Sequence, residues 1–412
     1  MRAKSHRYPD DNNIYTDTTY YDKEENYFDL GYQRLKFINI DSYPEFKFLK
    51  KLFINNNKLN KLPDPKYLPH IKELICSNNE LYQIPLYPKL IYLDISYNKI
   101  IDCSHYNNSN IKYFDCSFNN GFKLNFNMSL CKQLYINDTK IENINLNYCP
   151  NLEVLDCSNN LLKNIEGGNN LIEINIQDNN ISSLPIWSKL LRLMANNNSI
   201  KYLDTYPELI FLTISYNKLQ QINNQPKLKK IIANNNNILK IGNIPNLKFV
   251  DLSYNQIKLF DMPNNCKYAY LQFNDFQTVN ISNPSIFSKL HELQIDFRTY
   301  SKIYDSCQKY ISSINIQVSG EKLTLFLTKI SNVFNENIIK IIFNKLNSIN
   351  FPKRQQEITY ISYLIFNKYF SQSKYNKLND VLELKEFETL REIILNAYYH
   401  NMIITLYFNG YY

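Results

Sequence analysis

The side chains that could do chemistry here are eight cysteines, five histidines and a column of asparagines recurring every 19 residues. Thiols and imidazoles at close spacing would hold a metal, and a thiolate beside a base would be a nucleophile. His6, His70, His105, His291 and His400 are scattered, with no second ligand at a recognised spacing. Cys76, Cys116 and Cys157 each stand three residues before a column asparagine, in every second repeat. Strands two apart in a sheet lie ~9–10 Å from one another, beyond the ~7 Å a disulfide spans. With Cys131 and Cys266 in leucine positions and Cys103 five after an asparagine, these thiols read as small core hydrophobes. They imply a reducing compartment. With only 7 glycines the chain has no phosphate-cradling loop. No catalytic residue, metal or cofactor is expected.

The asparagines themselves do the most. Asn57, Asn79, Asn98, Asn119, Asn160, Asn179, Asn198, Asn217, Asn236, Asn255 and Asn274 close one recurring phrase, with Thr139 in the fifth copy. Apolar residues precede each by eight, five and three, and another follows by two, as in Leu209, Leu212, Ile214, Asn217 and Leu219. A fixed period near 20 marks a solenoid. The alternating segment before the asparagine is a short strand with one face in and one out. The amide that follows can satisfy backbone groups that would otherwise be buried unpaired. One such unit would immobilise ~19 residues at ~1–2 kcal/mol each, so stability belongs to the stack. Nineteen residues leave no room for an outer helix, and Pro207, Pro226 and Pro245 recur there. The outer side should be extended.

This phrase resembles the leucine-rich repeat, over about 60% of the chain, in the short class of bacterial effector proteins. Leu62-Pro63, Ile84-Pro85 and Leu184-Pro185 echo that class. The Asn, Ile, Lys and Tyr bias resembles leucine-rich repeat proteins of giant amoeba viruses, or of A/T-rich protists. The resemblance implies an α/β solenoid with a parallel concave sheet and an extended convex side. Some bacterial effectors of this kind carry a ligase domain whose catalytic Cys has an Asp two residues on. Here Cys307 is followed by Gln308 and Lys309, and the chain remaining is too short for that domain.

Four regions follow. Residues 1–29 read as a flexible polar lead-in, and 30–48 as a capping segment with a strand at Leu35–Ile40. Residues 49–300 hold the array, its thirteenth copy starting at Leu290 with Arg298 in place of the asparagine. Residues 320–412 read as a helical C-terminal domain or cap, with apolar helical faces around 330–342, 358–365 and 387–398. No signal peptide and no run of ~18 apolar residues is visible, so a cytoplasmic protein without membrane spans is expected, in the host cell if viral.

The outward strand positions lie six, four, two and one before each asparagine. They hold Glu73, Asp94, Asp115, Asp138, Asp156, Glu173, Asp178, Asp251, Glu292 and Asp296 against Lys51, Arg192 and Lys230. The net charge of the chain is +8, so its other faces must be basic. The same columns carry Tyr92, Tyr97, Tyr113, Phe118, Phe211, Tyr216, Phe249, Tyr254, Tyr270 and Phe273. Exposed aromatics in a stripe anchor interfaces, and the sign of the face disfavours phosphate. Tyrosine is abundant throughout, so filler is the alternative. The resulting expectation is a non-catalytic scaffold binding a protein partner on this face, through Asp94, Asp115, Asp156 and the aromatics. A nucleic-acid partner is not expected. An adaptor or enzyme seated in residues 320–412, with the repeats selecting its substrate, is the second reading.

Overall fold

One apolar residue between two polar ones gives strands of three residues whose central side chain is buried, as in Tyr92–Asp94 and Val154–Asp156. The computed structural model describes residues 20–276, 278–280, 290–296, 317–318 and 403–407. These fall into two compact units divided after Leu228.

In the first unit Tyr27–Asp29 pairs in parallel with Lys51–Phe53. The parallel ladder continues through Glu73–Ile75, Tyr92–Asp94, Tyr113–Asp115, Gln133–Tyr135, Val154–Asp156, Glu173–Asn175, Arg192–Met194 and Phe211–Thr213. In the second unit Lys230–Ile232, Phe249–Asp251, Tyr268–Tyr270 and Glu292–Asp296 do the same. The strands meet in the register of the repeat, so Leu93 stands opposite Leu74 and Phe114. Behind them the leucine and isoleucine positions are almost wholly buried, as the stacking of a solenoid requires.

The array begins earlier than the sequence pattern suggests. Tyr20–Asp22 and Tyr27–Asp29 form an antiparallel hairpin, so residues 20–29 are a cap and not a lead-in. Leu35–Ile40 is no strand, and a 3-10 turn starts at Ile40. Phe28, Leu30 and Gln33 in fact occupy the repeat positions of a preceding copy, with Gln33 in place of the asparagine. Residues 1–19 lie outside the described residues.

At the other end Glu292–Asp296 pairs antiparallel with Ile403–Tyr407, which also pairs with Gln317–Val318. The described part of residues 320–412 is therefore strand. The three helical faces expected there lie outside the described residues, as do Arg298 and Cys307.

The outer side is extended, with single 3-10 turns at Pro44–Phe48, Pro65–Tyr67, Ser104–Tyr106 and Leu146–Tyr148. These fall in the early repeats longer than 19 residues, where there is chain enough for one turn. Tyr87, Tyr106 and Tyr206 bury their rings there and donate their hydroxyls to the carbonyls of Pro63, Pro85 and Pro185. A proline carbonyl keeps its acceptor although the residue has lost its donor, so the phenol closes one gap per repeat. The seven described cysteines are buried free thiols, and burial pushes them up, which disfavours the nucleophilic thiolate.

The asparagine amides run as a ladder behind the strands. Asn98 Nδ2 reaches the carbonyls of Cys76 at 3.0 Å, Ile95 at 3.0 Å and Ser96 at 3.1 Å. Its Oδ1 accepts the Leu81 amide at 3.0 Å. Asn79, Asn119, Asn160, Asn179, Asn198 and Asn217 reach back to the preceding repeat in the same way, as do Asn255 and Asn274 in the second unit. Asn236 is equally buried. Asn57 extends the ladder to the hairpin copy, with Nδ2 on Leu30 O and Oδ1 taking the Gln33 and Leu35 amides.

Candidate interaction face of the sheet

The residue just before each ladder position turns the chain from the strand into the outer segment. All twelve adopt the left-handed conformation, with φ between 53° and 59°. Asparagine and aspartate tolerate that region, and they fill it in seven repeats: Asn56, Asn78, Asp138, Asn159, Asp178, Asn197 and Asn235. The other five carry Tyr97, Phe118, Tyr216, Tyr254 and Phe273. A bulky side chain at positive φ costs on the order of 1–2 kcal/mol. Burial does not offset the strain at Tyr97, Tyr216 and Tyr254, which remain 52%, 60% and 48% exposed, while Phe118 and Phe273 are half-buried. The Asn and Asp members of this column were the signal in the sequence that its backbone is left-handed.

In the first unit the aromatics form two rows. Tyr92 and Tyr113 stack at 3.9 Å and 6°, and Tyr135 continues the row at 5.2 Å from Tyr113. Tyr97 and Phe118 stack at 3.9 Å and 12°. In the second unit Phe249 lies 5.5 Å from Tyr270, and Tyr254 stacks on Phe273 at 4.3 Å. Phe211 meets a cation instead, Arg192, whose guanidinium lies 4.9 Å from the ring centre while its Nε is 3.5 Å from Glu173. Lys230 sits 4.6 Å over Phe249, and Lys51 pairs with Glu25 at 3.6 Å. All three bases of the face are thus engaged within the chain.

The acids have a local task that sequence reasoning missed. Asp94, Asp156 and Asp251 each accept the amide and the hydroxyl of the serine two residues on. This holds the bend before the left-handed residue. The second oxygens of Asp156 and Asp251 take the amides of Asn175 and Asn234. Asp115 departs from the pattern: it accepts the Ser117 amide, while the Ser117 hydroxyl turns to Asn137. Burial above all, with Asp94 and Asp156 nearby and only partly opposed by Ser117, pushes the Asp115 carboxyl up to about 6. Burial and then the Tyr92 hydroxyl also push the Tyr113 phenol up.

A carboxyl raised from 3.8 to about 6 binds a proton more tightly in the folded chain than in the unfolded one. Its stabilising contribution is complete below the lower value and is lost as pH rises through the upper. Asn175 shows that an asparagine fits this column and still accepts the amide two residues on. Asp115→Asn is therefore expected to stabilise the protein near neutral pH by up to about 3 kcal/mol, with no gain below about pH 4. Urea melts of parent and variant across that range measure it, and an equal difference at both ends would assign the effect to something other than charge.

No family model matches the chain. It is 50% identical over 421 residues to the leucine-rich repeat protein R380 of Acanthamoeba polyphaga mimivirus, spanning 100% of both chains. The chain belongs to the leucine-rich repeat proteins. Its relative is viral, in line with the compositional resemblance. Among solved structures, the leucine-rich repeat protein is similar to the functional domain of InlJ from Listeria monocytogenes, at 19% identity and a TM-score of 0.51. That match covers 69% of this chain and 72% of InlJ. The LRIM1/APL1C complex matches at 16% identity and a TM-score of 0.50, covering 90% of this chain and 76% of the other. Both show the fold. Leucine-rich repeat proteins are generally protein-interaction scaffolds. Among the described residues no helix is long and apolar enough to cross a membrane, and no three His, Cys, Asp or Glu side chains gather as a metal site.

Proposed function

We propose that this leucine-rich repeat protein is a non-catalytic scaffold that binds a protein partner on the outward face of its parallel sheet. One observation carries the reading: five bulky aromatics occupy strained left-handed positions that Asn or Asp fill in the other seven repeats. Filler would be asparagine there. A side chain kept at a cost in the free protein, exposed as at Tyr97, Tyr216 and Tyr254 or half-buried as at Phe118 and Phe273, is suited to bury its ring in a complex. The acids supply the sign of the surface and speed the encounter with a basic partner. A relative of amoeba-virus origin and a set of free thiols together favour the host-cell cytoplasm as the place of action. LRIM1/APL1C, of similar fold, is itself a complex.

A photo-reactive benzophenone amino acid placed at Tyr216 tests which side of the solenoid is used. Tyr202, equally exposed at 64% but on the outer side, is the control. In host-cell extract a discrete adduct is expected from position 216 and none from position 202. The reverse pattern would move the partner to the outer side and end this reading.

A further inference from the structure

Arg192 shows how this sheet holds a guanidinium. It lies between a carboxylate and an aromatic face, both contributed by the adjacent strands at the same position: Glu173 at 3.5 Å and the Phe211 ring at 4.9 Å. The planar cation gains from both neighbours at once, which a lysine ammonium matches less well.

The strands Tyr92–Asp94 and Tyr113–Asp115 repeat these components without the cation. Asp94 and Asp115 stand opposite one another, at the ~4.8 Å spacing of neighbouring strands. Along each strand they come between two aromatic rows, Tyr92 with Tyr113 before them and Tyr97 with Phe118 after. Their Oδ1 atoms serve the local bends, but neither Oδ2 has a hydrogen-bond partner among the described residues. The corresponding oxygens of Asp156 and Asp251 are both covered by asparagine amides. No lysine or arginine among the described residues pairs with Tyr92, Tyr113, Asp94 or Asp115. Two like charges side by side, half-buried and uncompensated, are unfavourable in the free protein and favour a cation from outside.

We infer that this patch is the seat of an arginine side chain from the protein partner, held between the Asp94 and Asp115 carboxylates and the flanking aromatic rings. The inference rests on the proposed scaffold reading and narrows it to one unit of the array and one partner chemistry. It also gives the contact a pH dependence. The groups facing Asp115 from its own strand and the two beside it are Asp94 and the phenols of Tyr92, Tyr113 and Tyr135, with Asp156 one strand further on. The phenols, all pushed up, stay neutral, while the Asp115 carboxyl loses its charge as pH falls through about 6. Arginine should therefore bind more weakly in mild acid.

The test uses the full chain and a fluorescein-labelled peptide alternating glycine and arginine, against the same peptide with neutral citrulline for each arginine. By fluorescence anisotropy near physiological ionic strength, the arginine peptide is expected to bind at least about 10-fold more tightly than the citrulline one. Asp115→Asn and Tyr113→Ser should each weaken it by about 10-fold, and Tyr202→Ser should not. Lowering the pH to about 5 should weaken binding to the parent several-fold and leave Asp115→Asn unmoved. Equal binding of the two peptides, or parental binding by Asp115→Asn, overturns the inference. If Tyr113→Ser proves unfolded by circular dichroism, Asp115→Asn still decides the matter. Should the arginine peptide fail while the adduct from position 216 persists, the arginine seat falls and the scaffold reading stands. Loss of both removes the two together.

Discussion

Replacing Tyr97, Phe118, Tyr216, Tyr254 and Phe273 together by asparagine is expected to abolish partner binding while leaving the fold at least as stable as the parent. The two effects have opposite signs because they arise from different properties of the same side chains. Each asparagine relieves a left-handed backbone of a bulky Cβ substituent, a gain of about 1 kcal/mol per site. Against that, the Tyr97–Phe118 and Tyr254–Phe273 stacks are lost, at about 0.5–1.5 kcal/mol per pair. The sum is near zero or favourable. Partner binding instead loses its aromatic anchors, at several kcal/mol in total, roughly a thousandfold or more in Kd. Asparagine is the informative replacement, because serine would leave part of the backbone strain in place. Urea melts and partner capture on the same preparation measure both quantities. A folded variant that captures the same partners with unchanged affinity would sink the interaction face. A variant destabilised by several kcal/mol would show that these rings support the fold.

The ladder should behave in the opposite manner. Asn217→Ala removes the donors to Ala195 O at 2.8 Å, Ile214 O at 3.2 Å and Ser215 O at 3.1 Å, and the acceptor of the Ile200 amide at 2.9 Å. The site is buried, so water cannot replace those bonds without opening the stack. Leaving at least one donor and one acceptor unpaired is expected to cost about 2–4 kcal/mol. The chain contains a natural comparison at Thr139. There the hydroxyl keeps the bond to Ile136 O, and the Gly121 amide of the preceding repeat turns to the Thr139 carbonyl. That rearrangement uses a glycine at φ 81°, where the repeat preceding Asn217 has Ile200. An unchanged denaturation midpoint for Asn217→Ala would mean that the amide contributes nothing net.

Much of this was legible in the sequence because the repeat converts spacing into position. Once Asn217 was fixed, Leu212 and Ile214 had to face inward, and Phe211 and Tyr216 had to face out. What escaped was whatever did not repeat. The copy at Phe28, Leu30 and Gln33 precedes Asn57 by 24 residues and lacks the asparagine, so the period could not reveal it. Leu35–Ile40 alternates like a strand, yet the preceding position in the sheet is already filled by Tyr27–Asp29. The acids of the face were counted as free charge, whereas Asp94, Asp156 and Asp251 each spend an oxygen on the serine two residues on. Only the uneven cover of their second oxygens, a property of neighbouring repeats and not of the motif, separates Asp94 and Asp115 from the rest.

The reversed strand ahead of the first repeat strand bears on how the protein behaves in a crowded cell. A solenoid ending on a strand of its own repeat offers the next molecule the same edge it offers itself, an invitation to head-to-tail growth into fibres. Tyr20–Asp22 runs against the direction of the repeat strand that follows it, Tyr27–Asp29. An incoming copy meets there donors and acceptors spaced for an antiparallel neighbour, so the screw operation that generates the array has no successor on that side. Growth into fibres is thereby blocked at this edge, and a mutant lacking Tyr20–Asp22 is the one in which polymers should be sought.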